Sequence, residues 1–143
     1  MSARAGHPLA RYVDDKRVQA AILAAEARTT GRIQVALAPR FWGDVRMAAE
    51  RAFKHLHVAG APEHNGVLFF VVPDRRRFVV LGDSGIHEKV GQEFWHRTAA
   101  ALRERFKAGD LTGGLIHGIE EAAKELARHF PRPEDTDPSS LTV

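Results

Sequence analysis

Residues 66–85 read GVLFFVVPDRRRFVVLGDSG, and most of the fold follows from them. Val67 to Val72 is an unbroken run of six apolar residues rich in β-branched and aromatic side chains. A strand that is apolar at every position has both of its faces covered. Pro73-Asp74-Arg75-Arg76 interrupts the run with turn residues, and Phe78-Val79-Val80-Leu81 resumes it. The two segments therefore predict a β-hairpin with antiparallel strands. Arg75-Arg76-Arg77 concentrates positive charge at its tip, which reads as a solvated turn. Gly82-Asp83-Ser84-Gly85 then turns the chain into a helical region.

Outward from the hairpin, the periodicity changes from two to about 3.6. Upstream, Val18, Ile22 and Ala25 fall on one face of a helix over roughly 14–29, with Asp14 and Asp15 as caps. Gly31 stops it. Ile33, Val35 and Leu37 then alternate along a strand that ends before Pro39. Val45, Ala49, Ala52, Phe53 and Leu56 mark a second helix over roughly 44–57, entered from Asp44. Downstream, Val90, Phe94, Trp95, Leu102 and Phe106 mark a helix over roughly 90–107. Leu115, Ile119, Ala122, Leu126 and Phe130 mark a last one over roughly 111–129. Buried strands between amphipathic helices predict a sheet covered on both faces. The first two strands flank a helix and are expected to be parallel by a right-handed crossover.

Length and composition bound the rest. A chain of 143 residues favours one domain, and 44% apolar with 27% charged residues is the balance of a soluble globular protein. With 21 Lys+Arg against 18 Asp+Glu, the net charge of +3 is too small to imply nucleic acid. The absence of cysteine excludes disulfides, thiol catalysis and cysteine-held metals. No stretch approaches the ~20 apolar residues of a membrane span. Met1–Arg11 contains Arg4, His7, Pro8 and Arg11 but no apolar core, so it does not read as a secretory signal, and a cytoplasmic location is expected. The expected organisation is an N-terminal arm at 1–13, a domain at 14–130 and a flexible tail at 131–143. The tail reads PRPEDTDPSSLTV and has too little apolar surface to fold alone.

Asn65-Gly66-Val67-Leu68, the basic hairpin, Gly82-Asp83-Ser84-Gly85-Ile86, Phe94-Trp95, Phe106-Lys107-Ala108-Gly109, Gly114-Leu115-Ile116-His117-Gly118-Ile119 and His129-Phe130-Pro131 follow one another in order. Ala25-Glu26 and Thr30-Gly31-Arg32-Ile33 precede them. This succession resembles the TPM domain, named for a thylakoid lumen protein, a photosystem repair protein and a receptor modulator, and within it the short stand-alone bacterial branch. The resemblance spans nearly the whole chain. It implies a three-layer α/β/α sandwich with a small mixed central sheet. It also implies divalent-cation binding, with calcium as the ion, and the acid phosphatase activity of plant members. Two departures bear on the cation. Arg32 stands where the branch usually has Glu, and the acidic C-terminal extension is shortened to Asp135–Val143.

Topology alone locates a candidate site. The first two strands begin after Gly31 and Asn65, and the third ends at Gly82 on the same edge. Thr29-Thr30-Arg32, Glu63-His64-Asn65 and Asp83-Ser84 are therefore expected to converge. The candidate ligand-binding rim is Thr30, Arg32, Glu63, Asn65, Asp83 and Ser84, with Asp83 and Glu63 as metal ligands. Calcium takes six to eight hard oxygen ligands, and such a rim supplies some of them. An anion would instead use Arg32 and the N-terminus of a helix beginning near Ser84. Asp83 can cap that helix, ligate, or do both, since a carboxylate has about four acceptor sites. Arg32 among metal ligands would repel an ion. Paired with Asp83 or Glu63, it would replace the ion's role in holding the loops. Asn65-Gly66 reads as a tight turn, with an amide ligand as the other reading.

Other constellations carry less. Gly82-Asp83-Ser84-Gly85 resembles the loop around a chymotrypsin-like nucleophile, but the flanking histidine and acid motifs are absent, and the helix-rich pattern is wrong for two β-barrels. His55-x-His57 in a helix points to two faces, and no His-Glu-x-x-His exists, which excludes the usual zinc spacing. Phe41-Trp42 is a candidate partner contact, a lid over the sheet, or a staple for the Asp44-capped helix. The expected function is a small soluble TPM-like binding or scaffold module with a loop-rim calcium or anion site and no other cofactor. The alternatives are a weak metal-assisted acid phosphatase and a ligand-free interaction domain. The expected partner is a protein, met through Phe41, Trp42 or the C-terminal tail, with no nucleic acid and no membrane span.

Overall fold

The strand Gly66–Val72 (β2) is buried at every position, as its unbroken apolar run requires. The computed structural model describes residues 12–55 and 62–133. In chain order the elements are α1 (Asp15–Glu26), β1 (Arg32–Leu37), α2 (Val45–His55), β2, a 3-10 turn (Pro73–Arg75), β3 (Arg77–Gly82), α3 (Ser84–Lys107) and α4 (Leu111–His129). The sheet order is β1-β2-β3. β1 runs parallel to β2, with Arg32 opposite Gly66 and Leu37 opposite Val71. β3 runs antiparallel to β2, with Gly82 opposite Val67 and Arg77 opposite Val72.

Successive residues of β2 point to opposite faces. Val67, Phe69 and Val71 join Ile33, the buried faces of α1, α3 and α4, and Trp95 in the larger core. Leu68, Phe70 and Val72 join Val45 and Ala49 of α2 in a smaller one, with Phe41, Phe53 and Leu81 packed at its margin. The result is the expected three-layer α/β/α sandwich, with α2 alone on one face. No helix among the described residues is long and apolar enough to cross a membrane.

Three details differ from the sequence reading. The helical region expected near Ser84 and the helix expected over roughly 90–107 form one element, α3, whose two segments are joined through Gly91, where a φ of 77° and ψ of 171° break the helical geometry. The tight turn expected at Asn65-Gly66 is displaced: the left-handed residue is His64, with φ 52°. Gly66 is already paired with Arg32, and its carbonyl accepts the Asp83 N–H at 2.9 Å, so the bend must precede it. Arg75 is also more than a solvated turn residue. Its Nη1 donates to the carbonyls of Phe41 at 3.1 Å and Gly43 at 2.8 Å.

At the chain's two ends, residues near the expected boundaries are attached to the domain. Val13 is buried, and the Tyr12 hydroxyl donates to Asp74. Pro131 bridges to Thr29, and Arg132 Nη2 donates to the carbonyls of Glu26 and Thr29. The rest of the expected arm and tail, residues 1–11 and 134–143, lies outside the described residues, as do Leu56 and His57 of the second predicted helix.

Candidate functional site

Parallel β1 and β2 both start at one end of the sheet, and antiparallel β3 ends there. The three segments flagged in the sequence therefore meet. Thr30 donates its hydroxyl to Glu63 Oε1 at 2.6 Å and accepts the Asn65 amide N–H at 3.1 Å. Asp83 Oδ1 accepts the Ser84 N–H at 2.7 Å and so caps α3. Asp83 Oδ2 lies 3.3 Å from His64 Nδ1. Behind them, the Ile86 N–H donates to the His64 carbonyl, which ties the 62–65 loop to the first turn of α3.

The close approach of that loop explains Gly85. A Cβ at this position would overlap the carbonyl oxygen of Glu63, so only a residue without one lets α3 start here. Beneath the rim, fully buried Thr29 accepts the Gly31 N–H at 3.0 Å and donates to the carbonyls at the end of α4. The loop between α1 and β1 is thereby fastened to the last helix.

Arg32 does not join this network. Its Cα sits opposite Gly66 on β1, while Gly82 sits opposite Val67 on β3. β2 lies between them, which puts Arg32 and Asp83 two strand spacings, roughly 10 Å, apart. Among the described residues Arg32 forms no ion pair, with Asp83, Glu63 or any other carboxylate. The rim is held by Thr30, Asn65 and His64 and not by an arginine–carboxylate clamp.

Two features were not legible in the sequence. The first is the role of His64, whose position in the converging segment was evident but whose bond to Asp83 needed the left-handed turn. The second is a cleft of about 370 Å³ beside Asp83, lined by Glu50, Phe53 and Lys54 of α2 and Leu81 and Gly82 of β3. Glu50 and Lys54 are one helical turn apart and sit over the β3 end of the sheet. That spacing was visible, but the placement of α2 on this face was not.

The donor set can be tested against the implied calcium. Its chemistry is right: Glu63 and Asp83 offer hard oxygens with lone pairs to spare, and Asn65 Oδ1 is buried without a hydrogen-bond partner. Its number is short. Among the described residues no group of three or more His, Asp or Glu is placed to hold a metal ion. The residues do not build a closed centre, and an ion at this rim would keep most of its water. The site is no better suited to an anion. Asp83 already occupies the helix N-terminus where one would sit, and Glu63 and Glu50 stand nearby.

The comparisons with known proteins agree with this architecture. The family model described as the TPM domain matches residues 12–125. The solved NMR structure of the BA42 protein from the psychrophilic bacterium Bizionia argentinensis is 38% identical, covers 84% of this chain and 83% of its own, and superposes with a TM-score of 0.77. The N-terminal domain of the cg2496 protein from Corynebacterium glutamicum shares the fold at 17% identity and a TM-score of 0.62, over 78% of this chain and 70% of its own. No curated protein matches. With the family model and a relative of this identity covering most of its length, the chain belongs to the TPM domain family.

Proposed function

We propose that this TPM domain is a small binding module whose acidic rim takes a divalent cation weakly, calcium being the ion the family suggests. The observation that carries the reading is the convergence of Glu63 and Asp83 around Thr30, Asn65 and His64, with no lysine or arginine among the described residues paired with either carboxylate. Because the protein's own hydrogen bonds already hold these loops, the ion is a guest and not a structural member. Affinity in the range of weak calcium modules, about 10⁻⁴–10⁻³ M, is the expectation for so few ligands. A calcium titration followed by amide NMR shifts tests it. The resonances of Thr30, Glu63, His64 and Asp83 move in the wild type and stay still in Glu63→Gln/Asp83→Asn. Shifts that phosphate produces and calcium does not would overturn the reading.

A second reading, the weak acid phosphatase, has one observation in its favour. Asp83 on His64 Nδ1 is the arrangement that orients an imidazole for general acid–base work, leaving Nε2 for a substrate. No hydroxyl among the described residues is bonded to His64, so a nucleophile is missing and water would have to serve. Hydrolysis of p-nitrophenyl phosphate by the wild type, abolished in His64→Ala, would establish it. Equal turnover in the two would remove it.

A further inference from the structure

The opposite end of the sheet from the rim carries a different chemistry. There Trp42 is 79% exposed, while the preceding Phe41 packs against the smaller core. Arg75 braces the loop that presents it. Its guanidinium bonds the carbonyls on both sides of Trp42, from Phe41 and Gly43, and lies 5.7 Å from the indole centroid. The indole is thus fixed outward at little further entropic cost, and a solvated loop would not hold it so. Met47, in the first turn of α2 and five residues further on, is 54% exposed.

Charge surrounds the indole. Arg40, Arg76 and Arg77 are exposed at the same end of the sheet, and Arg75 adds a fourth positive group. Two acids share this end and keep their charge, Asp44, which caps α2 through the Met47 N–H at 2.9 Å, and Asp74, which accepts the Tyr12 hydroxyl at 3.1 Å, so the four arginines outnumber the carboxylates two to one. That last bond also brings the start of the described chain here. The acidic rim lies a full strand away, roughly 20 Å.

We infer that this end of the domain docks on an anionic membrane surface, with Trp42 seated among the headgroups and the arginines on the lipid phosphates. A single aromatic with no basic track decides against single-stranded nucleic acid, which stacks successive bases along a charged channel. An indole with an apolar body and a polar N–H suits the membrane–water interface, and basic residues beside it add attraction to anionic lipid.

The test is cosedimentation of the whole chain with vesicles of phosphatidylcholine alone or mixed with phosphatidylglycerol, together with tryptophan fluorescence. Trp95 is buried, so a blue shift on binding reports Trp42. The expected result is binding to the mixed vesicles only, weakened by salt and lost with its blue shift in Trp42→Ala. Arg40→Glu/Arg76→Glu should bind at least about tenfold more weakly. Unchanged thermal unfolding of both variants shows that they fold, since every substituted side chain is exposed. Equal binding to neutral vesicles, no binding to either, wild-type binding by Trp42→Ala, or preference for a single-stranded oligonucleotide over vesicles would each overturn the inference.

Discussion

Trp95 donates its indole N–H to His87 Nδ1 at 2.9 Å, although both residues belong to α3 and stand eight positions apart. In an unbroken helix they would be about 12 Å apart along the axis. The break at Gly91 brings them together. The bond matters at the rim because the Trp95 ring lies over Gly82, at the end of β3, where a Cβ would collide with it. It also assigns the imidazole as the acceptor at Nδ1.

Removing the acceptor leaves a largely buried donor unsatisfied. His87→Ala is expected to destabilise the fold by about 1–3 kcal/mol in urea unfolding. Gly91→Ala should cost a similar amount, about 1–3 kcal/mol, through backbone strain alone. There is open space for the methyl group at Gly91, so a neutral result there would contradict the left-handed geometry.

Thr29→Val tests the fastening of the α1–β1 loop to α4. The substitution keeps the shape and deletes the hydroxyl that serves Gly31 and the last carbonyls of α4. A loss of about 1–3 kcal/mol is expected, with faster amide exchange at Gly31. Exchange unchanged at Gly31 would show that the hydroxyl is dispensable.

Asp83 combines a cap with a proposed ligand, and two variants separate the roles. Asp83→Ala is expected to lower stability by about 1 kcal/mol, while Asp83→Asn retains most of the cap. Both should lose the calcium-dependent shifts. A variant that binds calcium normally without the carboxylate would place the ion elsewhere.

Gly85→Ala forces a methyl group onto the Glu63 carbonyl oxygen, a backbone atom that cannot rotate away. We expect destabilisation of about 1–3 kcal/mol and altered amide shifts at both Glu63 and Asp83. The pairing of these effects is the check, since simple loss of helix stability would leave Glu63 unmoved.

Calcium removal is expected to leave the melting temperature nearly unchanged. At an ion concentration equal to a dissociation constant, ligand stabilisation is only about 0.4 kcal/mol. A fall of many degrees on adding a chelator would show a structural ion and contradict the hydrogen-bonded rim.

The sheet was legible because its evidence is local. Six apolar residues in sequence, a Pro-Asp break and a second apolar run specify β2, the turn and β3 with few alternatives. The convergence of Thr30, Glu63 and Asp83 followed from strand direction alone. What stayed hidden depended on backbone conformation or on distant partners. The left-handed turn fell on His64 because the pairing of Gly66 fixed the start of β2. Arg32 was a plausible partner for Asp83 until the sheet order put β2 between them. Arg75 looked like any charged turn residue, since its carbonyl acceptors lie more than 30 positions earlier.

One contact at the sheet's margin has a consequence for behaviour at high concentration. β1 is a border strand, and Glu26 Oε2 accepts the Ile33 N–H at 2.8 Å. One of the amides that would recruit a foreign strand is thus occupied by a carboxylate. A second molecule adding there must displace that carboxylate and bury or expel it, which disfavours growth of edge-to-edge aggregates. Glu26 therefore guards the start of the β1 edge of a three-stranded sheet against strand addition.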